Sequence, residues 1–397
     1  MKSEHKSFQH FSIGEFCETG SGGTPSRQKA AEYFGGNIPW VKSGELRENV
    51  ITSTEESITE IGLKESAAKL LPTNTLLVAL YGATVGRIGV LGIAAATNQA
   101  VCHIIPDESR SDRRYLFYAL QSQVPYWLSK RVGGGQPNIS QGIIKETKIP
   151  LPQLPEQRRI ADILDKADAI RRKRATALEL AEQATFAIYD DLIGDPLRNT
   201  RKWPMTVLGE RVDFVTGFAF QSSRYADSSG VRLLRGANVL PDYVDWSDVC
   251  YWPRHDPVDG RFHLVEDDVV LAMDRPWISS GVKVTRVSRV DIPCYLVQRV
   301  ARLRSISAFT QSFIYCSLRH PAFTTHCGSR KTETTVPHIS PHDIRSFPVP
   351  DPPTEVQMKF EAATRVVSET VERFSCALDD SRNLFKSLVQ QAFQGEL

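Results

Sequence analysis

The chain is written twice. Pro137-Asn138-Ile139-Ser140 returns as Pro337-His338-Ile339-Ser340, and each copy is soon followed by a Pro-x-Pro, Ile149-Pro150-Leu151-Pro152 and then Phe347-Pro348-Val349-Pro350. Fainter echoes keep the same order. Ile13-Gly14-Glu15 answers Leu208-Gly209-Glu210, Val41-Lys42 answers Leu234-Arg235, and Leu46 answers Val239. Leu76 to Leu80 matches Val269 to Met273, Asn98-Gln99-Ala100-Val101 lies opposite Val297-Gln298-Arg299-Val300, and Tyr115 to Leu120 matches Phe313 to Leu318. A period this long excludes a solenoid, whose units run to some 20–50 residues. Two similar domains are expected instead, each followed by a similar helix, and 397 residues leave room for them.

Each Pro-x-Pro leads into a long helical pattern. The first is expected from about Glu156 to Ile193, with Pro155 where its fixed φ suits a helix start. Alternating steps of three and four pick out Ile160, Ile163, Ala167, Ile170, Arg174, Ala177, Ala181, Ala184 and Ile188. The second copy gives Phe360, Ala363, Val367, Thr370, Phe374, Ala377, Ser381, Leu384 and Leu388. These are heptad seams, widened by Leu164, Leu178 and Leu192 and by Val371, Leu378 and Phe385. A surface helix packed on its own domain also shows an apolar stripe. A helix from Glu156 to Ile193, about five heptads, would span roughly 57 Å at 1.5 Å per residue, which overhangs such a domain. The two helices are therefore expected to pair antiparallel, as a spacer with approximate twofold symmetry. Gly194-Asp195-Pro196 ends the first helix. Arg171-Arg172-Lys173-Arg174 reads as a solvated helix face or as a contact for phosphate or a partner.

Each globular half reads as mixed α and β. Leu76 to Leu80, Ile88 to Gly92, Val269 to Met273 and Val282 to Val287 are strand-like, and Arg113 to Lys130 and Ala308 to His320 are helix-like. Glycine-rich loops lie at Gly20 to Thr24, Gly82 to Gly89 and Gly133 to Gly135. None carries an enzyme signature. Gly82-Ala83-Thr84-Val85-Gly86-Arg87 lacks the spacing and the Lys-Ser/Thr of a phosphate loop, and no G-x-G-x-x-G follows a strand. Asp351-Pro352-Pro353-Thr354 resembles the motif of amino-methyltransferases but lacks its stacking aromatic, and reads as a rigid connector. Pro106-Asp107 and Glu146-Thr147-Lys148 are too far apart for a nuclease metal site, and His320, His326 and Cys327 lack a fourth zinc ligand.

Composition is that of an ordinary globular protein, and a net charge of +2 gives no bulk signal for nucleic acid. Any DNA surface must be local. The candidates are polar and basic residues on loops beside strands: Thr24, Ser26, Lys42, Arg87, Asn98 and Gln99 in the first half, and Arg235, Asn238, Arg275, Lys283, Gln298 and Arg299 in the second. Arg and Lys suit guanine, and Asn and Gln suit adenine, through paired hydrogen bonds in the major groove. The seven cysteines form no C-x-x-C pair and read as reduced thiols of a cytoplasmic protein. Met1 to Lys6 has no apolar run behind it, so no signal peptide is expected, and Ile88 to Ala96 is too short to cross a membrane.

Domain, Pro-rich link and heptad helix, each seen twice, resemble the specificity subunit of a type I restriction-modification system. The likeness rests on Gly22-Gly23-Thr24-Pro25-Ser26, Ile38-Pro39-Trp40-Val41, Tyr81-Gly82-Ala83-Thr84-Val85-Gly86 and Thr97-Asn98-Gln99-Ala100. Pro137 to Ser140, Ile149 to Pro152, Pro155-Glu156-Gln157-Arg158-Arg159-Ile160 and Gly395-Glu396-Leu397 complete it. The resemblance implies an α+β fold with two target-recognition domains, 1–152 and 195–350, separated by two spacer helices, 153–194 and 351–397. It implies a non-catalytic chain that binds a split, asymmetric site in double-stranded DNA, one half-site per domain. The partners would be two adenine-methyltransferase subunits and motor/endonuclease subunits. S-adenosylmethionine, ATP and magnesium would be bound by those partners, with no cofactor, metal or membrane for this chain. The second copy departs from the pattern: Asp274-Arg275-Pro276 replaces the Gly-Ala-Thr turn, and Val356-Gln357-Met358-Lys359-Phe360 replaces Gln-Arg-Arg-Ile. It must read a different half-site. Two alternatives stay open, an enzyme fused to such a scaffold and a two-headed adaptor that binds proteins instead of DNA.

Overall fold

The computed structural model describes residues 8–131, 138–226, 228–306, 309–328 and 337–397. The Gly133 to Gly135 loop, Pro137 and Met1 to Lys6 lie outside the described residues. The chain divides into two compact units, Met1–Ala175 with Ala377–Leu397, and Thr176–Cys376.

The first unit holds a five-stranded sheet in the order Cys17–Ser21, Val101–Pro106, Leu76–Ala79, Ile88–Leu91, Asn49–Ile51. Leu76–Ala79 and Ile88–Leu91 are buried along their whole length, which is why they read as continuous apolar runs. A smaller three-stranded sheet joins Glu56–Ile58, Phe34–Val41 and Ala96–Thr97. The helix Arg113–Ser129 starts on the Asp112 carboxylate, which accepts from the amides of Arg114 and Tyr115. It packs Tyr115, Leu116, Ala119 and Leu120 into the core. His10–Ser12 pairs antiparallel with Lys148–Pro150, tying the start of the unit to the foot of its long helix.

The second unit repeats this plan. Its larger sheet has four strands, Val212–Thr216, Val300–Ser305, Val269–Ala272 and Val284–Arg286. The smaller one joins Tyr251–Trp252, Val231–Leu234 and Cys294–Leu296, and Met205–Val207 pairs with Pro348–Pro350. The expected strand Val282 to Val287 is broken at Lys283, which donates its amide to the Pro276 carbonyl at 2.7 Å. The expected helix from Ala308 starts at Gln311, because the Thr310 hydroxyl caps it by accepting from the Phe313 amide.

The long helices are Leu154–Leu192 and Thr354–Gln394. Gln157 and Gln357, at the same place in each copy, bond back to the Pro-rich links, to Pro152 at 2.7 Å and Pro352 at 2.8 Å. Asp351, in the link ahead of the second long helix, pairs with Arg211. In the first unit Arg159 donates to an oxygen of Leu397, Arg171 lies over the Phe385 ring and Arg174 donates to the Ala377 carbonyl. Numbering rises along one helix as it falls along the other, so the pairing there is antiparallel. In the second unit Tyr189 and Phe360 meet edge to face, 5.7 Å apart.

The expected seam is rotated. Ile160, Ala167 and Phe360 are buried, and Ile163, Val367 and Phe374 are half-buried, but Ile170 and Leu384 stand 50% and 56% exposed. Ser381 of the expected seam is buried too, but the rest of the buried column runs through Leu164, and on the second helix through Thr364, Leu378, Phe385 and Ala392. An α-helix drifts by about 20° per heptad from a strict 3.5-residue repeat. The apolar neighbours Ile163–Leu164 and Leu384–Phe385 offer two adjacent columns, and packing takes the second. The basic run is engaged in the same packing: Arg171 and Arg172 both bind Asp168 at 2.6 Å, and Arg172 donates to the Glu48 carbonyl.

Candidate nucleic-acid interface

In each unit, backbone hydrogen bonds between strand ends gather the loops onto one rim. In the first unit Gly22 N–H bonds Val101 O, Gly23 N–H bonds Thr97 O, Asn98 N–H bonds Val41 O and Leu80 N–H bonds Ala100 O, all within 3.0 Å. Ile139 N–H reaches Leu80 O, and Tyr81 bridges Asn138. Gly22 has to be glycine, since a Cβ there would lie 2.2 Å from the Thr97 carbonyl oxygen.

The second unit repeats the pattern bond for bond. Gly217 N–H bonds Val300 O, Phe218 N–H bonds Leu296 O, Val297 N–H bonds Leu234 O and Met273 N–H bonds Arg299 O. Ile339 N–H reaches Met273 O, and Asp274 bridges His338. The match fixes which residues are equivalent: Gly23 with Phe218, Tyr81 with Asp274, Gly82 with Arg275, Gln99 with Gln298, Ala100 with Arg299, and Asn138 with His338. The frame is shared and the side chains on it differ.

The candidate residues sort by what already holds them. On the first rim Gln99 and Arg87 are exposed, and Arg87 has no ion pair among the described residues. Asn98 is half-buried, and its Oδ1 is enclosed without a hydrogen-bond partner. Thr24 is half-buried, and Ser26 is exposed at the start of the turn Arg27–Lys29. Lys42 is bound to Glu55 at 2.7 Å and Glu56 at 3.0 Å, and these carboxylates hold its ammonium above the usual lysine range. Arg27, absent from the sequence candidates, stacks 4.1 Å over Phe34 and also pairs with Glu56.

On the second rim Arg275, Gln298 and Arg299 are exposed. Arg235 is engaged with Asp248 at 2.9 Å. Asn238 and Lys283 must be corrected as base-reading candidates, because both point inward. Asn238 is 1% exposed and donates to the carbonyls of Asp245 and Asp248 while accepting from the Arg235 amide. That leaves it nothing with which to read a base. Lys283 is buried and donates to the Gly236 carbonyl, and burial, with Arg275 beside it, lowers its pKa. Sequence reasoning passed over Asp274, His338 and the half-exposed Phe218. The Asp274 carboxylate accepts from Arg299 on one oxygen and from His338 Nδ1, at 2.7 Å, on the other.

Such a surface offers hydrogen-bond donors, acceptors and cations. Among the described residues no three His, Cys, Asp or Glu side chains are placed to hold a metal ion. His320 accepts from the Ala322 amide through Nδ1, and His326 bonds the Asp343 carbonyl through Nε2. No helix among the described residues is long and apolar enough to cross a membrane.

Residues 5–180 match the family described as the type I restriction modification DNA specificity domain. The type I restriction enzyme MjaVIII specificity subunit of Methanocaldococcus jannaschii is 25% identical over 375 residues, 91% of this chain and 86% of that protein. The fold is shared with the crystal structure of a type I restriction-modification S subunit from M. genitalium, at 16% identity and a TM-score of 0.57, over 99% of this chain and 98% of that one. It is shared too with a chain solved in work on complex assembly and conformational transition of the type I R-M system, at 17% identity and a TM-score of 0.60, over 99% of both chains.

Proposed function

The chain belongs to the specificity subunits of type I restriction-modification systems, and from that premise we propose that each of its two rims reads one half of a split, asymmetric DNA site. The chain is the non-catalytic member of its complex, and its partners are DNA and the other restriction-modification subunits. We assign adenine methylation to two subunits docked on it, and cleavage to motor/endonuclease subunits. S-adenosylmethionine, ATP and magnesium belong with those partners.

One observation carries the reading: two rims share a backbone frame while the side chains on it differ. A common frame supports a common task. Unlike side chains give unlike half-sites, hence an asymmetric sequence. Arg87, with no ion pair among the described residues, and the exposed glutamines Gln99 and Gln298 are groups that discriminate base edges. A protein-binding adaptor would share the architecture but would show no preference among duplexes.

The test is selection from a pool of randomised duplexes by the full chain assembled with its methylating partners. The expected result is a two-part motif separated by unread base pairs, with affinity falling steeply as salt rises. Sequence-indifferent binding, or a single uninterrupted motif, would overturn the proposal.

A further inference from the structure

On the second rim, Asp274, Arg299, His338 and Arg275 form a group with no counterpart on the first. Arg299 stands where the first unit has Ala100, and Arg275 where it has Gly82. Both arginines adopt left-handed backbone, at φ +64° and +43°, a region that suits glycine (Gly82 itself has φ +69°) and that bulky side chains enter at a cost. Strain of this kind persists where the surroundings enforce it, and it collects at functional sites. Arg299 keeps a 66% exposed side chain while its guanidinium is tied to Asp274.

An acid on a surface meant for DNA repels phosphate, so Asp274 needs a reason to be there. Arg299 and His338 each engage one of its oxygens, so the carboxylate is turned toward its own neighbours on the rim. Burial acts to raise its pKa, but the hydrogen bonds from Arg299 and His338 prevail and hold the carboxyl below its usual range, ionised at neutral pH. What it does is fix a guanidinium. Arg has five N–H donors in a rigid plane, and the contact to Asp274 through Nη1 leaves those of Nη2 and Nε for another partner. The partner for a fixed pair of donors in the major groove is the O6 and N7 of guanine.

We propose that Arg299, positioned by Asp274, reads a guanine in the half-site bound by the second unit, and that His338 locks the carboxylate that aims it. The first rim, with Ala100 and Tyr81 at these places, cannot read that base in the same way. The inference rests on the split-site reading above and names one base within it.

The test compares variants in the duplex selection, each in the full chain assembled with its methylating partners. Wild type should give a guanine at one position of one half-site. Arg299→Gln, whose amide suits adenine and not guanine, should cut the preference for that guanine by about tenfold or more, leaving the other half-site untouched. Asp274→Asn should relax the same position while the slope of affinity against salt stays unchanged, because no phosphate contact is lost. Uniform weakening across all sequences by Arg299→Ala, with the salt slope reduced by about one, would make Arg299 a phosphate contact and overturn the proposal. So would a wild-type motif with no guanine in the half-site that responds. Absence of any motif in wild type would instead sink the split-site reading. Retention of the other half-site in every variant shows that the chain has folded.

Discussion

His103 sits in the centre of the larger sheet of the first unit, buried and paired across the ladder with Gly20. The pairing explains the glycine, since a Cβ on residue 20 would lie 2.5 Å from the imidazole. Burial lowers the His103 pKa, Lys69 adds to the effect, and Glu18 opposes it. The sign of the pH effect follows. In the unfolded chain the ring takes a proton near its ordinary pKa of about 6.5, while in the folded unit it resists until lower pH. Stability is therefore intact above that range and is lost as pH falls through and below it. Thermal unfolding of the first unit, followed between about pH 7.5 and 5.5, should show a midpoint that drops on acidification. His103→Gln should flatten the drop, and an unchanged slope would assign it to other groups. Little of this was legible in the sequence. A histidine in an apolar run gives no sign of which way it faces, and Asn238 and Lys283 misled for the same reason. Asp274 was passed over because an acid on a DNA-reading loop makes sense only beside Arg299, its partner across the rim.

The long helices show where sequence periodicity succeeds and where it stops. Steps of three and four placed both elements within a few residues of Leu154–Leu192 and Thr354–Gln394, and predicted their antiparallel pairing. They did not choose between neighbouring apolar columns. Leu384 and Phe385 are adjacent, yet Leu384 is mostly exposed while Phe385 packs 5.9 Å from the Tyr118 ring and under Arg171. The choice was made by the domain surface that the helix lies on, which no heptad count contains. Phe385→Ala should cost about 3–5 kcal/mol as a large-to-small core change, and Leu384→Ala no more than about 0.5 kcal/mol. Urea denaturation of the two variants would check this, and equal losses would restore the expected seam. Elements with short-range signals were read more closely: the helix expected from Arg113 starts there, and the Pro-rich links lead into both long helices.

At the scale of the molecule, duplication was the legible fact, because order and spacing along the chain survive where side chains diverge. Both long helices run from one unit into the other. If they set the interval between half-sites, deleting one heptad from each should shorten the unread gap by about 10 Å, or about three base pairs. A deletion of seven residues turns a helix face by only about 20°. The selected motif should keep both half-sites and lose spacing, and an unaltered gap would mean that something else sets the interval. The composition of the units has a further effect, on how the protein is made. Tyr115, Tyr118, Ile160 and Leu164 leave the ribosome long before Phe385, Ala392 and Phe393, the side chains that complete their core. Throughout that delay the nascent first unit holds an open apolar face, while residues 176–376 can close upon themselves. Early termination would thus cripple the half synthesised first and spare the other.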